Sequence, residues 1–195
     1  MIQENRDVYS GLSNAAWGYF FLHFDFNLNN VSIFPRFVGW LLLLSACTKL
    51  AGVRRDLALL RPLSVLLAAW YALDWLLSWG GAGVNGHVLF LDLLTAVAGL
   101  YFHFQFLTDM AALAERYQPE DAGLDRRLRR CRTVFVVLTT LFSLLGDLSA
   151  VPTESWGEWA MIGMALAALI AAFLIMAALF RLRRCFREEP FVPFS

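Results

Sequence analysis

The sequence has few charged residues and almost no lysine. Asp, Glu, Lys and Arg make up 16% of its 195 residues, against roughly 25% in ordinary soluble domains. Lys49 is the only lysine, and the basic and acidic residues cancel to a formal net charge of zero. Nucleic-acid binding depends on an excess of positive charge, so we expect no nucleic-acid partner.

Cysteine and the motifs of common enzymes are scarce as well. The three cysteines have no Cys-x-x-Cys spacing, which excludes a disulfide scaffold and gives no sign of a structural metal site. The sequence contains no H-E-x-x-H, G-x-S-x-G or P-loop motif. Its one G-x-G-x-x-G match, over 81–86, lies between two apolar runs and not between a strand and a helix. We therefore predict no cofactor and lean against an enzyme.

Apolar residues, by contrast, dominate the chain. They make up 59% of it, and the mean hydropathy is +0.58. About 20 mainly apolar residues are needed to cross a bilayer, and five runs meet this need: 33–51, 57–79, 84–107, 132–151 and 156–180. A sixth run, 9–28, is interrupted by polar residues.

The weak first run still has the pattern of a packed helix. Gly11, Asn14, Gly18 and Asp25 fall on one side of a helix, which leaves the other side for lipid. We predict an all-α protein, with residues 1–195 forming a single transmembrane helical bundle. It has six spans, or five if the first segment lies only at the membrane interface.

The basic residues are distributed very unevenly between the two sides of this bundle. Every lysine and arginine except Arg36 lies in the N-terminus, the connection after the second run, the 108–131 hairpin with its junction to the next run, or the C-terminal tail. Cytoplasmic segments of membrane proteins are enriched in these residues. We therefore predict a multi-pass protein of the bacterial inner membrane with both termini in the cytoplasm.

The 108–131 hairpin holds the densest group of arginines. Their plainest role is to set the topology and to contact anionic lipid headgroups, which supply roughly 1 kcal/mol per basic side chain. A docking site for a soluble partner is the alternative. The residues in question are Arg126, Arg127, Arg129 and Arg130.

Four aspartates lie on four different runs, each in the outer third of the membrane or at its outer edge: Asp25, Asp74, Asp92 and Asp147. A carboxylate at that depth costs a few kcal/mol unless it faces the bundle interior or water. Hydroxyl-bearing and other polar residues share their helix faces. The sequence thus predicts an outward-opening acidic polar core, whose further candidates are Tyr71, His103 and Arg36.

Counter-ions for these aspartates are scarce. The only basic candidates on the outer side are Arg36, His23 and His87. Either some carboxylates are protonated because of desolvation and mutual repulsion, or a cation shares the site, or neutral acids form hydrogen bonds between helices. His87 falls on the opposite helix face from Asp92, which disfavours zinc and leaves any metal unknown.

The last run carries small residues at helical spacing, including Gly163, Ala167 and Ala171. Small residues let helix backbones approach closely in lipid. They predict close packing, either inside the bundle or between two copies in a homo-oligomer.

A short N-terminal segment resembles a known group of proteins. Asp25-Phe26-Asn27 is followed by Ile33-Phe34-Pro35 and by Gly39-Trp40. This pattern resembles small uncharacterised membrane proteins of Gram-positive gut bacteria, in which a D-x-N segment precedes an I-x-P-x-x-x-G-[YW] helix start. Arg36 departs from the acidic residue that follows the proline in that group. The resemblance implies a membrane location and no specific activity.

Together these features favour a non-enzymatic membrane protein that transports or senses a small cation or proton through its polar core. The first alternative is a structural or partner-binding membrane subunit that uses the basic hairpin. A membrane-embedded hydrolase with paired aspartates is the third.

Overall fold

The computed structural model describes residues 2–24, 27–28, 31–32, 35–79, 89–119, 122–147 and 155–186. Within these ranges the chain forms six α-helices: α1 (Ile2–His23), α2 (Arg36–Leu50), α3 (Arg61–Ser78), α4 (Leu89–Tyr117), α5 (Leu124–Asp147) and α6 (Ser155–Arg184). A 3-10 helix over Arg55–Leu60 leads into α3. Two two-residue strands, β1 (Asn27–Leu28) and β2 (Val31–Ser32), pair in antiparallel fashion. The predicted all-helical fold is confirmed apart from this minimal hairpin.

Two helices begin or end where the sequence supplies a clear local signal. Pro62 occupies the first turn of α3, where its missing N–H costs nothing. Between α4 and α5, Gly123 adopts a φ of +57°, a conformation that side chains other than glycine rarely tolerate. The side-chain oxygen of Gln118 then accepts a 2.6 Å hydrogen bond from the backbone N–H of Leu124. The predicted 108–131 hairpin is thus two helix extensions joined by a short turn.

The α1 and α2 helices cross at very short range. A Cβ on Gly39 would lie 2.9 Å from the carbonyl oxygen of Gly18, and one on Gly18 would lie 3.1 Å from that of Gly39. About one turn along α1 from Gly18, Asn14 Nδ2 donates a 2.9 Å hydrogen bond to Ser45 Oγ of α2. Gly11 is buried in the same interface. The small and polar face of the first helix is therefore its packed face, as the sequence predicts.

Buried apolar side chains form one cluster in the half of the bundle that contains the α2–α3 and α4–α5 connections. We call this the closed half. Its largest fully buried side chains include Tyr19, Leu43, Phe102, Phe106 and Phe135.

The opposite half of the bundle, which we call the open half, contains the C-terminal part of α3 and the N-terminal parts of α4 and α6. Many of its large apolar side chains are exposed, among them Leu76, Trp79, Phe90, Trp159 and Ile162. Exposed apolar side chains in this number are costly in water and suit contact with lipid.

Three helical stretches are long and apolar enough to cross a membrane: Arg55–Ser78, Phe90–Tyr117 and Trp159–Arg184. They correspond to the predicted runs 57–79, 84–107 and 156–180. The α2 helix, with 15 residues, is shorter than the predicted run 33–51. These helices indicate a membrane location.

Candidate functional site

A cavity of about 380 Å³ lies where α1 to α5 approach one another, next to the closed half. Its volume is in the range of small-ligand sites, which are mostly apolar with a few directed polar groups. Leu22, His23, Arg36, Trp40, Tyr71, Thr95, Ala96, Gly99, Leu100, His103, Phe135, Thr139 and Phe142 line it. Five helices thus contribute to one site.

Two histidines at the wall of this cavity contact the same tyrosine. The Nδ1 atom of His103 lies 3.1 Å from the hydroxyl oxygen of Tyr19. The Nδ1 atom of His23 lies 2.9 Å from the backbone carbonyl oxygen of the same tyrosine. The two imidazole centroids are 6.0 Å apart. We call His23, His103 and Tyr19 the histidine pair and its tyrosine.

The hydrogen bond of His23 determines which of its ring nitrogens carries the proton. A carbonyl oxygen only accepts, so Nδ1 of His23 must be the donor. In the neutral ring Nε2 is then the acceptor, and it is the atom that would take up an incoming proton. His103 shares its Nδ1 with a hydroxyl, which both donates and accepts, so its proton can sit on either nitrogen.

Aromatic rings hold both imidazoles in place. Phe135 lies edge-on to each of them, with centroid distances of 5.1 Å to His23 and 5.3 Å to His103. The Trp40 ring lies 5.4 Å from His103, and Tyr19 stacks on His23 at 5.7 Å with an interplanar angle of 7°. Such ring contacts orient the imidazoles without using their nitrogen atoms.

The two threonines of the lining present oxygen lone pairs to the cavity. Thr95 donates its hydroxyl proton to the carbonyl oxygens of Leu91 and Asp92, at 3.0 and 2.9 Å. Thr139 donates to the carbonyl oxygen of Phe135 at 2.8 Å. Because each hydroxyl proton is used within its own helix, only the acceptor lone pairs remain. These oxygens suit a hydrogen-bond donor such as water, a protonated group or a small cation.

Arg36 and Tyr71 form a further part of the lining. Arg36 lines the cavity from the start of α2, and Tyr71 stacks on Trp40 at 6.3 Å with an interplanar angle of 10°. Asp74 of α3 and Asp92 of α4 are half-buried, and each of them, like Arg36, takes part in an interaction.

The structure thus brings together some of the predicted polar-core residues. Arg36, Tyr71 and His103 line one cavity. Asp74 and Asp92 are not among the residues that line it. Asp25 and the side chain of Asp147 lie outside the described residues, so the convergence of all four aspartates stays a prediction.

The sequence did not identify Tyr19, and it indicated His23 only as a counter-ion. The available signal was the four-residue spacing of Tyr19 and His23, which places both on one face of α1. Among the residues that the structure describes, no group of three His, Cys, Asp or Glu side chains could hold a metal ion.

A second polar cluster, also missed in the sequence, lies inside the closed half. The side chain of Asp109 is fully buried. Its Oδ1 accepts a 3.1 Å hydrogen bond from Arg54 Nε, and its Oδ2 accepts a 3.2 Å hydrogen bond from Gln105 Nε2. Arg54 also pairs with the exposed carboxylate of Asp56. The Arg54–Asp109 ion pair ties the α2–α3 connection to α4.

The basic hairpin is largely open to its surroundings. Arg126, Arg129 and Arg130 are exposed, and Arg127 is half-buried. Arg129 forms an ion pair with Glu115 of α4. Lipid or partner contacts by these arginines stay a prediction.

The small residues of α6 are divided between two environments. Ala171 is buried within the bundle, whereas a Cβ on Gly163 would meet open space. Ala167 is half-buried. A homo-oligomer through this helix also stays a prediction, with Gly163 as its most accessible member.

Comparison with protein-family models, with curated proteins and with solved structures finds no match. The resemblance to membrane proteins of Gram-positive gut bacteria therefore stays a prediction, and the function has to be argued from the site itself.

Proposed function

We propose that this chain is a multi-pass protein of the bacterial cytoplasmic membrane that transports or senses a small cation, the proton being the ion that its cavity suits best. In this proposal the chain has six spans and cytoplasmic termini. Three apolar helices support the membrane location. The one-sided distribution of basic residues supports the orientation.

The observation that carries the proposal is the histidine pair with its tyrosine at the wall of a cavity. Histidine is the side chain whose ordinary pKa lies closest to neutral pH. Both rings contact Tyr19, His23 at its backbone carbonyl oxygen and His103 at its hydroxyl, and threonine oxygens offer hydrogen-bond acceptors nearby. A polar group at membrane depth is expensive, so such a cluster is expected to be functional.

The proton suits this cavity better than a metal cation does. The described side chains include no group of three His, Cys, Asp or Glu residues that could hold a metal ion. A proton needs neither a ligand shell nor an anionic cage, because a ring nitrogen takes it up directly.

The closed half bears on the choice between transport and sensing. Its packed core lies on the side of the cavity that faces the arginine-rich connections, and the Arg54–Asp109 ion pair fixes the α2–α3 connection to α4. Transport requires this half to open at some stage, whereas sensing requires only that the cavity exchange protons with one side. Proton flux across a membrane therefore separates the two roles.

The functional test uses the full chain reconstituted in liposomes that contain a pH-sensitive dye. Under an imposed pH gradient, wild type should dissipate the gradient faster than empty liposomes if it transports protons. His103→Gln and Tyr19→Phe should reduce the rate to that of empty liposomes. Tyr101→Phe, on an exposed tyrosine of α4, should behave as wild type.

The sensing role is tested on the same variants by nitrogen-15 NMR of the histidine rings. Wild type should show ring signals that change with pH and that differ in His103→Gln beyond the loss of one ring. Absence of both gradient dissipation and ring titration in wild type would reject the proposal.

The orientation is tested with thiol reagents. Cys185 is exposed, whereas Cys47 and Cys131 are buried, so Cys185 is the informative native thiol. A membrane-impermeant maleimide should label it in inverted vesicles and not in intact cells. On a cysteine-free background, Ala82→Cys should show the opposite pattern. Labelling of Cys185 from outside would overturn the topology.

A partner-binding role for the basic hairpin is the second candidate, and the exposure of Arg126, Arg129 and Arg130 favours it. Topology depends on the summed charge of a segment, so replacement of one arginine by glutamine should leave insertion and function intact. Loss of function from one such variant with normal insertion would favour a specific partner.

A further inference from the structure

An apolar groove lies on the outside of the bundle between α2 and α3. It has a volume of about 340 Å³, and its lining consists of Phe37, Leu41, Leu44, Val65, Ala68, Ala69 and Ala72. The residues of each helix recur every three or four positions, so they form one stripe along α2 and a facing stripe along α3. The small side chains of three alanines on α3 leave the space between the two stripes. The groove therefore follows from the side chains that α2 and α3 carry on their facing sides.

One end of the groove carries a guanidinium group. Continuing each stripe by one turn leads to Thr48 on α2 and Arg61 on α3. Arg61 Nη2 donates a 3.2 Å hydrogen bond to the carbonyl oxygen of Thr48, which closes this end. Arg61 is half-buried, and the described hydrogen bond uses one of the five N–H groups of its guanidinium. The guanidinium therefore keeps donor capacity for an acceptor outside the protein.

Two neighbouring cations at this end of the bundle are already engaged. Lys49 Nζ donates a 2.7 Å hydrogen bond to Ser10 Oγ, and Arg54 pairs with Asp109 and Asp56. Arg61 is the cation that lies in line with the groove. Its fork of N–H groups matches the oxygens of a phosphate.

We propose that the groove is a binding site for one anionic phospholipid of the surrounding bilayer. One acyl chain lies along the groove between Phe37 and Val65, and the phosphate accepts hydrogen bonds from Arg61. This end lies on the predicted cytoplasmic side, where a basic residue at the membrane surface attracts anionic lipids.

The lining identifies a lipid chain as the occupant in preference to a peptide. A peptide segment would bring backbone N–H and C=O groups against a surface that has no polar side chain to satisfy them. An acyl chain has no such groups. The groove also borders the stretch Arg55–Ser78, which is long and apolar enough to cross a membrane.

The test is native mass spectrometry of the full chain in detergent, with either phosphatidylglycerol or phosphatidylcholine added. Wild type should retain one phosphatidylglycerol in preference to phosphatidylcholine. Arg61→Gln should remove the preference, so that the ratio of the two bound lipids falls to one. Arg61→Lys should keep part of the preference, because lysine retains the positive charge but lacks the planar set of N–H groups of arginine.

A groove-filling variant tests the acyl-chain half of the proposal separately. Ala69 is exposed, so Ala69→Phe should fill the groove without disturbing the core and should reduce retention of both lipids. Arg181→Gln, on an exposed arginine of α6, is the matched charge control and should bind as wild type. Thermal unfolding of every variant checks that it is folded.

Three outcomes would overturn the proposal. The first is an Arg61→Gln variant that keeps the phosphatidylglycerol preference shown by Arg181→Gln. The second is an Ala69→Phe variant that binds both lipids as wild type does. The third is a change from dimer to monomer in Ala69→Phe, which would assign the groove to a second copy of the chain.

Discussion

The two polar clusters of this bundle differ in how completely their hydrogen-bonding groups are used. In the closed half, both carboxylate oxygens of Asp109 accept hydrogen bonds, from Arg54 and Gln105. In the cavity, His23 and His103 each use Nδ1, and the described contacts include none to either Nε2. A buried group whose hydrogen-bonding atoms are all used stabilises the fold. A histidine that has an unused ring nitrogen beside a cavity can exchange a proton.

The largest effect is expected when one partner is removed from the Asp109 cluster. Arg54→Met leaves the fully buried carboxylate of Asp109 with Gln105 as its remaining donor. Loss of one partner from a buried ion pair costs about 3–5 kcal/mol. Thermal unfolding in detergent should show a much lower Tm for this variant than for Arg55→Met, which removes an exposed arginine.

The reverse substitution should cost less. The side chain of Arg54 is 40% exposed, so in Asp109→Asn it can turn toward water and toward Asp56. Equal destabilisation by Arg54→Met and Asp109→Asn would show that the ion pair, and not the burial of the carboxylate, determines the effect.

The second largest effect concerns the glycine crossing of α1 and α2, on which the position of the cavity wall depends. A methyl group on Gly39 would lie 2.8 Å from Leu22 Cγ and 2.9 Å from the Gly18 carbonyl oxygen. Overpacking of this kind costs about 1–3 kcal/mol, so Gly39→Ala should lower the free energy of unfolding by that amount.

The matched control for the crossing is Gly163→Ala. That glycine has no neighbouring atom within 4 Å of an added Cβ, and alanine favours a helix by about 1 kcal/mol over glycine. Gly163→Ala should therefore be neutral or stabilising. Destabilisation equal to that of Gly39→Ala would contradict the close crossing.

A smaller effect tests the other side of the comparison, the unsaturated histidine pair. Tyr19→Phe removes the hydroxyl that contacts His103 and retains the backbone carbonyl that contacts His23. Histidine ring NMR should therefore show a shift for His103 Nδ1 and an unchanged Nδ1–H for His23. The loss of one hydrogen bond should lower stability by about 1 kcal/mol, and Tyr101→Phe should change neither quantity.

The smallest effect lies outside both clusters, at the start of α5. The hydrogen bond from Gln118 Nε2 to Asp125 lowers the pKa of this carboxyl below its ordinary value. Its contribution to stability is therefore present at pH values above the unfolded-state pKa of about 3.9. It is lost as the pH falls through the lower folded-state value.

Unfolding of wild type and Asp125→Asn between pH 6 and 3 measures this contribution. The two stabilities should differ at pH 6 and converge as the pH falls. In a Gln118→Ala background the same aspartate substitution should have a weaker pH dependence. A stability difference that grows toward low pH would contradict a lowered pKa for Asp125.

Sequence patterns predicted the fold better than the site. The one-sided face of α1, with Gly11, Asn14 and Gly18, was readable because helical periodicity sorts residues around a single axis. Packing decides which faces of different helices meet, so the sequence did not predict the approach of His23 on α1 to His103 on α4. Contacts between residues that are far apart along the chain leave no local pattern in the sequence.

Asp109 was missed for a different reason. The apolar run 84–107 ends just before it, so the sequence places it in the polar hairpin, where a carboxylate needs no partner. In the structure α4 continues to Tyr117, and the closed half packs around this extension. A hydropathy boundary marks where apolar residues stop and not where the buried core stops.

The shortness of α2 has a consequence for the bilayer itself. Its 15 residues span about 22 Å at 1.5 Å per residue, several ångströms less than the roughly 30 Å hydrocarbon layer. In the proposed six-span arrangement, the lipids beside α2 must shorten to match it or the helix must draw its polar ends inward, and either adjustment costs energy for each ångström of mismatch. Because α2 also carries Arg36 and Trp40 of the cavity wall, membranes of different thickness should bias the shape of that wall.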